Sequence, residues 1–271
     1  MFIKEMINKM TKKKGRMYCT GDWHGCEVAL KVFDFLQPDD KLYFLGDSCD
    51  RGPIGFTLLK KLLEDPRVEF IPGNHEEYFM ECYPQMTDDW ERDWDFRATE
   101  WAFGNGGIKT IEEIKEKYSD IEALKLAKQL KTLPKRIVLT LDTHMVFLEH
   151  AGFTPAYVTP RHDPLWDRTH FDEDWGHNPN YKNTVVIHGH TPVQYLRFFY
   201  GYVNMPKMTE KDFEIKNKFL EDDKTLNDIY KPEVLFYCNN HKIDIDMCTI
   251  TSERVALLDL ETLEPIYFDK E

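Results

Sequence analysis

The sequence predicts a layered α/β fold with polar, ligand-bearing loops at the carboxyl ends of its strands. Three observations predict it. Strand, loop and helix patterns alternate through the first third of the chain. Short polar motifs containing glycine recur in order along the chain, and the first three each follow an apolar run. Finally, 271 residues with 42% apolar and 14% aromatic content suit one large globular domain with a sizeable core.

The elements follow in order. Arg16 to Thr20 reads as a short strand ending at Gly21-Asp22. Glu27 to Leu36 carries Val28, Leu30, Val32, Phe33, Phe35 and Leu36, a pattern for a helix packed on a sheet, and Pro38 ends it. Lys41 to Leu45 is a strand delivering Gly46-Asp47. Phe56 to Leu63 is helical, and Val68 to Ile71 is a strand delivering Gly73-Asn74. Glu76 to Leu133 reads mostly as helix, most clearly over Thr110 to Leu130, with a break at Asn105-Gly106-Gly107. Ile137 to Leu141 and Met145 to Leu148 form a hairpin whose second strand delivers His150. Thr184 to Ile187 delivers His188-Gly189-His190. Residues 193–232 are expected to be an exposed insertion in a single 1–271 domain, with a charged surface helix over Thr209 to Ile229. Lys242 to Ile245, Val255 to Leu260 and Pro265 to Phe268 are strands expected to close a second sheet.

Charge and cysteine content narrow the function classes. The 35 basic and 48 acidic residues give a formal charge of -13, which disfavours nucleic acid and anionic membrane as stable partners. Six cysteines show no CxxC pair and read as reduced thiols of a cytoplasmic protein. The lysine-rich stretch Met1 to Lys14 lacks a sustained apolar run, so no signal peptide is expected.

Five motifs carry the chemistry. They are Gly21-Asp22-Trp23-His24-Gly25, Gly46-Asp47-Ser48-Cys49-Asp50-Arg51-Gly52, Gly73-Asn74-His75-Glu76, His150-Ala151-Gly152 and Gly189-His190-Thr191-Pro192. Each holds a hard or borderline metal ligand. Asp22 and His24, two residues apart on an extended turn, can point at one ion. Asp47 can bridge two ions with its two oxygens, and Asn74, His150 and His190 can complete a second set. Mixed oxygen and nitrogen ligands suit Mn²⁺, Fe or Zn²⁺ better than Ca²⁺. His188 points to the other strand face by alternation, and His144 and His162 have no motif support.

The ordered set GDxHG, GDxxDRG, GNHE, HAG and GHTP resembles the calcineurin-like metallophosphoesterases, in particular their phosphoprotein-phosphatase branch and the related diadenosine tetraphosphatases. The resemblance runs from about Arg16 to Pro192. It implies a sandwich of two mixed β-sheets flanked by helices and two divalent cations, Mn²⁺ first, with Fe, Zn²⁺ or Ni²⁺ as substitutes. It places one cation on Asp22, His24 and Asp47, and the other on Asp47, Asn74, His150 and His190. It further implies attack on phosphorus by a hydroxide held between the ions. His75 would protonate the leaving oxygen, with Asp50 orienting it and holding it protonated. Arg51 and Arg168 would bind phosphoryl oxygens.

Departures from the family pattern bear on substrate. Pro72 stands where phosphoprotein phosphatases carry an arginine, whereas Glu76 favours them over the dinucleotide enzymes. Met247 replaces a glycine and is expected to reshape the pocket wall. The leading expectation is a serine/threonine protein phosphatase-like phosphomonoesterase acting on phosphoproteins or small phosphoesters. The alternatives are a dinucleoside polyphosphate hydrolase and a catalytically silent metal-binding protein.

Overall fold

The structure is a computed structural model describing residues 15–87, 94–171, 173–199, 227 and 231–270. Two five-stranded mixed sheets form its centre. The first has strand order β10-β9-β1-β2-β3, built from β1 (Met17–Thr20), β2 (Lys41–Phe44), β3 (Val68–Phe70), β9 (Arg254–Asp259) and β10 (Pro265–Asp269). The second has order β4-β5-β6-β8-β7, built from β4 (Arg136–Thr140), β5 (Met145–Glu149), β6 (Thr184–His188), β7 (Leu235–Tyr237) and β8 (Lys242–Asp244). Each sheet keeps three parallel strands in a row, β1-β2-β3 and β5-β6-β8, with antiparallel strands added outside them. The expected two-sheet sandwich is therefore present.

Alternation along the strands builds two cores. One face of the first sheet sends Cys19, Tyr43, Leu45 and Ile71 toward Val146, Leu148, Val185 and Ile187 of the second, filling the space between the sheets. The opposite face sends Tyr18, Leu42 and Phe44 into a helical layer. That layer contains α1 (Leu30–Phe35), α2 (Gly55–Glu64), α3 (Asn74–Met86), α5 (Gly107–Lys117) and α6 (Asp120–Leu130), with the short α4 (Phe96–Thr99) between α3 and α5. In α2, Phe56, Leu58, Leu59 and Leu62 are buried at helical spacing. Two further helices lie beside the second sheet's loops, α7 (Val193–Phe199) and α8 (Thr249–Ser252).

Three expectations change here. The helical run 110–130 is two helices: Tyr118 turns extended, and Ser119 begins α6 as a capping box with Glu122. Strands β9 and β10 extend the first sheet through β1, with Cys19 opposite Leu258, and do not close the second. The second sheet is completed instead by β7, a segment the sequence pattern missed. Most of the expected insertion at 193–232, including nearly all of the helix expected at Thr209 to Ile229, lies outside the described residues. Asn227 is described; its side chain joins Gln194 of α7 to Thr251 of α8. Among the described residues, no helix is long and apolar enough to cross a membrane.

Candidate metal centre

The parallel strands aim their carboxyl ends at one place. Asp22 and His24 follow β1, Asp47 to Arg51 follow β2, and Asn74 and His75 open α3 after β3. His150 follows β5, and His190 follows β6. Six of the predicted site residues are non-glycines with left-handed backbone: Asp22 (φ 56), His24 (φ 42), Asp47 (φ 58), Asp50 (φ 69), Arg51 (φ 64) and His190 (φ 70). Such conformations cost of order 1 kcal/mol or more each and persist only where the surroundings enforce them.

Glu76 supplies much of that enforcement. Its buried carboxylate accepts the Asp47 N–H (2.7 Å), the Ser48 N–H and hydroxyl (2.8 Å each) and the Gly73 N–H (2.8 Å). Two loops are thereby tied to α3 by one side chain. The carboxylate faces these two loops rather than the cavity. Glu76→Ala leaves three buried N–H groups without an acceptor, at about 1–3 kcal/mol each. The expected loss is roughly 3–9 kcal/mol of stability in the metal-free protein, read by urea unfolding. A loss below about 1 kcal/mol would show that the loops hold their shape without it.

The candidate ligands converge around Asp47. Its Oδ2 lies 3.7 Å from His24 Nε2, 3.5 Å from His150 Nε2 and 3.9 Å from His75 Nε2. Ligand atoms of His24, Asp47 and His75 fall within 4.8 Å of one another, as do those of Asp47, His150 and His190. Asp47 is common to both groups. Asn74 Oδ1 sits 3.0 Å from His150 Nε2 and 2.9 Å from His190 Nδ1. Asp22 Oδ1 accepts the His190 N–H at 2.9 Å. All six predicted metal ligands are buried.

Several features fit a cation at this place. His150 donates Nδ1–H to Leu45 O at 2.6 Å and turns Nε2 toward the oxygens of Asn74 and Asp47. His24 likewise donates Nδ1–H to Cys49 O at 3.1 Å and turns Nε2 inward. Donation from the outer ring nitrogen to a carbonyl is the usual arrangement of a metal-binding histidine. Among the described residues, neither Asp22 Oδ2 nor His190 Nε2 has a hydrogen-bond partner, though both are buried. A Cβ on residue 189 would fall 1.9 Å from Asp22 Oδ2, so only glycine lets that carboxylate lie there.

Electrostatics agrees. Burial, then the charges of Asp246 and Asp47, pushes the Asp22 carboxyl well above its usual range. Burial opposes ionisation of Asp47 too, but the imidazoles of His150, His75 and His24 overcome it and hold that carboxyl well below its usual range. Burial, aided by the Arg51 guanidinium, pushes the His24 imidazole well below its usual range, and burial does the same for His190, whereas Asp47 raises His150 against its own burial. Buried carboxylates at Asp22 and Asp47, beside His24 and His190 whose protonation burial disfavours, are groups whose desolvation a divalent cation offsets.

The predicted acid and its partner are also together. His75 Nδ1 donates to Asp50 Oδ2 at 2.7 Å, with both side chains buried. Arg51 spans the mouth, with Nη1 3.1 Å from His24 Nε2 and Nη2 3.0 Å from His75 Nε2. A guanidinium can only donate, so His75 Nε2 accepts and the ring carries its proton on Nδ1. This differs from the expectation of an imidazolium: Arg51 occupies the position a second proton would take. Arg168 Nε donates to Thr191 Oγ1 (3.1 Å) and Nη2 to His190 O (3.3 Å), which ties the Leu165-Trp166-Asp167-Arg168 segment to the GHTP loop. A cavity of about 890 Å³ joins these groups, lined by His24, Asp47, Arg51, Asn74, His75, Trp166, Arg168, His190, Tyr195 and Asp246 among others.

Some cavity-lining positions escaped the motif reading. Asp246 is a buried carboxylate on the cavity wall whose ionisation is pushed up to about 6, chiefly by burial. The alternating Ile243-Asp244-Ile245-Asp246 pattern at a strand end was its signal. Met247 does not reshape the wall: it is buried between the sheets, while Cys248 lines the cavity with φ 53. Alternation sends Met247 to the side opposite Asp246, and the left-handed backbone at Cys248 then turns the chain into α8. His188 hydrogen-bonds Tyr237 OH at 2.6 Å, away from the cavity, and His162 is held between Asp167 and Glu149.

Comparison with known proteins gives a consistent result. The family model described as calcineurin-like phosphoesterase matches residues 15–221. Symmetrical bis(5'-nucleosyl)-tetraphosphatases from Paracidovorax citrulli and Legionella pneumophila are 34% identical over 65 and 64 residues. That stretch is 22% of this chain and spans only 23% of each relative's own length. A solved structure provisionally named a diadenosine tetraphosphatase superposes with a TM-score of 0.51 at 14% identity, covering 94% of both chains. A protein serine/threonine phosphatase from Saccharomyces cerevisiae gives 0.50 at 14% identity over 96% of this chain and 82% of that one. These structural likenesses concern the fold.

Proposed function

The chain belongs to the calcineurin-like phosphoesterase family, and on that footing we propose that it is a metal-dependent phosphomonoesterase of the serine/threonine protein phosphatase type. The observation that carries this reading is the buried Asp50–His75 pair beside the cavity. An alkyl phosphate releases an alkoxide, which is too basic to depart without a proton. A nucleotide released from a phosphoanhydride ends in a phosphate of second pKa about 6 and departs as the anion. A positioned proton donor therefore gains most on a serine or threonine ester.

Asp22, His24 and Asp47 would hold one divalent cation, and Asp47, Asn74, His150 and His190 a second; the mixed ligand set suits Mn²⁺. Cations bound there supply Lewis-acid neutralisation of the phosphoryl charge and a water made nucleophilic at neutral pH. Arg51 and Arg168 present planar forks to the phosphoryl oxygens. As Arg51 turns to the phosphate it leaves His75 Nε2, which takes a proton from solvent water and passes it to the leaving oxygen while Nδ1–H stays donated to Asp50. Burial keeps Asp50 and His75 out of bulk water, so their hydrogen bond holds its geometry.

A second reading, hydrolysis of dinucleoside polyphosphates, is favoured by the 34% identical stretch shared with two tetraphosphatases. Trp166 at the cavity wall, edge-on to Tyr78 at 5.2 Å, offers a ring against which a base could stack. Turnover of a phosphopeptide, p-nitrophenyl phosphate and diadenosine tetraphosphate, measured side by side in Mn²⁺, separates the two. The expected result is preference for the monoesters. A clear preference for the dinucleotide overturns it, and turnover of none with metal bound would identify a silent metal-binding protein.

A further inference from the structure

The Asp50 carboxylate is fully buried, yet His75 supplies only one of its hydrogen bonds. A single segment supplies the others. Glu100–Gly104 forms a π-helical turn after α4, and α5 begins three residues later at Gly107. Trp101, itself fully buried, donates Nε1–H to Asp50 Oδ2 at 2.8 Å, the same oxygen that accepts His75 Nδ1–H. Thr110, one turn into α5, donates its hydroxyl to Asp50 Oδ1 at 2.7 Å and accepts the Asp50 N–H at 2.9 Å. A Cβ on residue 107 would fall 2.4 Å from the indole, so the ring can lie there only over glycine.

Burial alone does not explain this arrangement. A phenylalanine would fill much of the indole's space without an N–H to satisfy, and a valine would fill the threonine's. π-helical turns occur mostly as single turns and often at functional sites. Resting on the reading of His75 as the proton donor, we infer that Trp101 and Thr110 are positioning residues for that step. Together they fix the rotation of the Asp50 carboxylate, so that one oxygen always meets Nδ1 and the imidazole keeps Nε2 toward the cavity. Without them the carboxylate turns to satisfy its own lone pairs, and the ring loses its fixed tautomer and orientation.

The test compares an alkyl phosphate with p-nitrophenyl phosphate, whose phenolate departs without a proton. Trp101→Phe and Thr110→Val should each lower kcat on the alkyl phosphate about tenfold. Their kcat on p-nitrophenyl phosphate should change less than about twofold, and Thr110→Ser, which keeps the hydroxyl, should stay within about twofold of the parent on both substrates. Equal losses on the two substrates, or no loss, overturn the inference. If Trp101→Phe does not fold, the Thr110→Val and Thr110→Ser pair decides. His75→Asn in the same assay tests the underlying reading: no substrate dependence there refutes the acid role, whereas dependence in His75→Asn but not in Thr110→Val refutes the positioning role alone. An independent readout is the Trp101 indole N–H in the NMR spectrum of metal-free protein. It should exchange slowly and move in Asp50→Asn; exchange at the rate of an exposed indole contradicts the contact.

Discussion

Asp47→Asn is expected to remove metal and activity together, with kcat on phosphate esters falling roughly a thousandfold or more. The argument is geometric. Asp47 Oδ2 stands 3.5 to 3.9 Å from three imidazole nitrogens and belongs to both ligand groups. An amide keeps the Oδ1 acceptor for the His75 N–H, so the loop retains that contact. It replaces Oδ2 with donors aimed at nitrogens that should face a cation. His150, His75 and His24 hold the Asp47 carboxyl well below its usual range, so its charge stabilises the fold above the ordinary carboxylate range. The metal-free variant should therefore be less stable than the metal-free parent at neutral pH. The parent should gain about 2.7 kcal/mol at a hundredfold excess of metal over its dissociation constant, and the variant far less. Thermal unfolding with and without Mn²⁺, beside metal analysis, reads both effects. Full activity in Asp47→Asn would refute the bridging role.

How much of this was legible in the sequence depended on range. Strand ends and their motif residues were readable because apolar runs followed by Gly-Asp or Gly-Asn are local signals. The same holds for the hairpin before His150 and the strand before His190. Contacts across the chain were not readable. Nothing local says that Trp101 and Thr110 reach Asp50, 51 and 60 residues away. Nor does anything local place β9 beside β1 rather than in the second sheet. The Glu76 carboxylate could be recognised as part of a motif, but its task of holding two loops appears only when three backbone N–H groups converge on it. Met247 and Cys248 show a one-residue register error: the glycine-like backbone falls on Cys248, and alternation then sends Met247 into the core.

His75→Asn is expected to lower kcat on an alkyl phosphate by about 10²–10⁴-fold while metal content stays near that of the parent. The second half of that statement is the demanding one. His75 Nε2 lies 3.9 Å from Asp47 Oδ2, hardly farther than His24 Nε2 at 3.7 Å, and His75 falls in the same potential ligand group. Distance alone does not separate ligand from acid. The partners at Nδ1 differ: His24 donates to the Cys49 carbonyl, and His75 to a buried carboxylate that two further donors hold in place. A buried anion at Nδ1 stabilises a ring that gains a second proton, which is what a donor of protons needs. A ligand needs only its tautomer fixed, and a carbonyl suffices for that. Asparagine can keep an N–H for Asp50 but offers no proton to a leaving oxygen. Turnover should therefore fall most for leaving groups of high basicity, and metal analysis of the same sample should be nearly unchanged. Loss of one metal equivalent in His75→Asn would instead make His75 a ligand and leave Asp50 orienting a metal-bound ring.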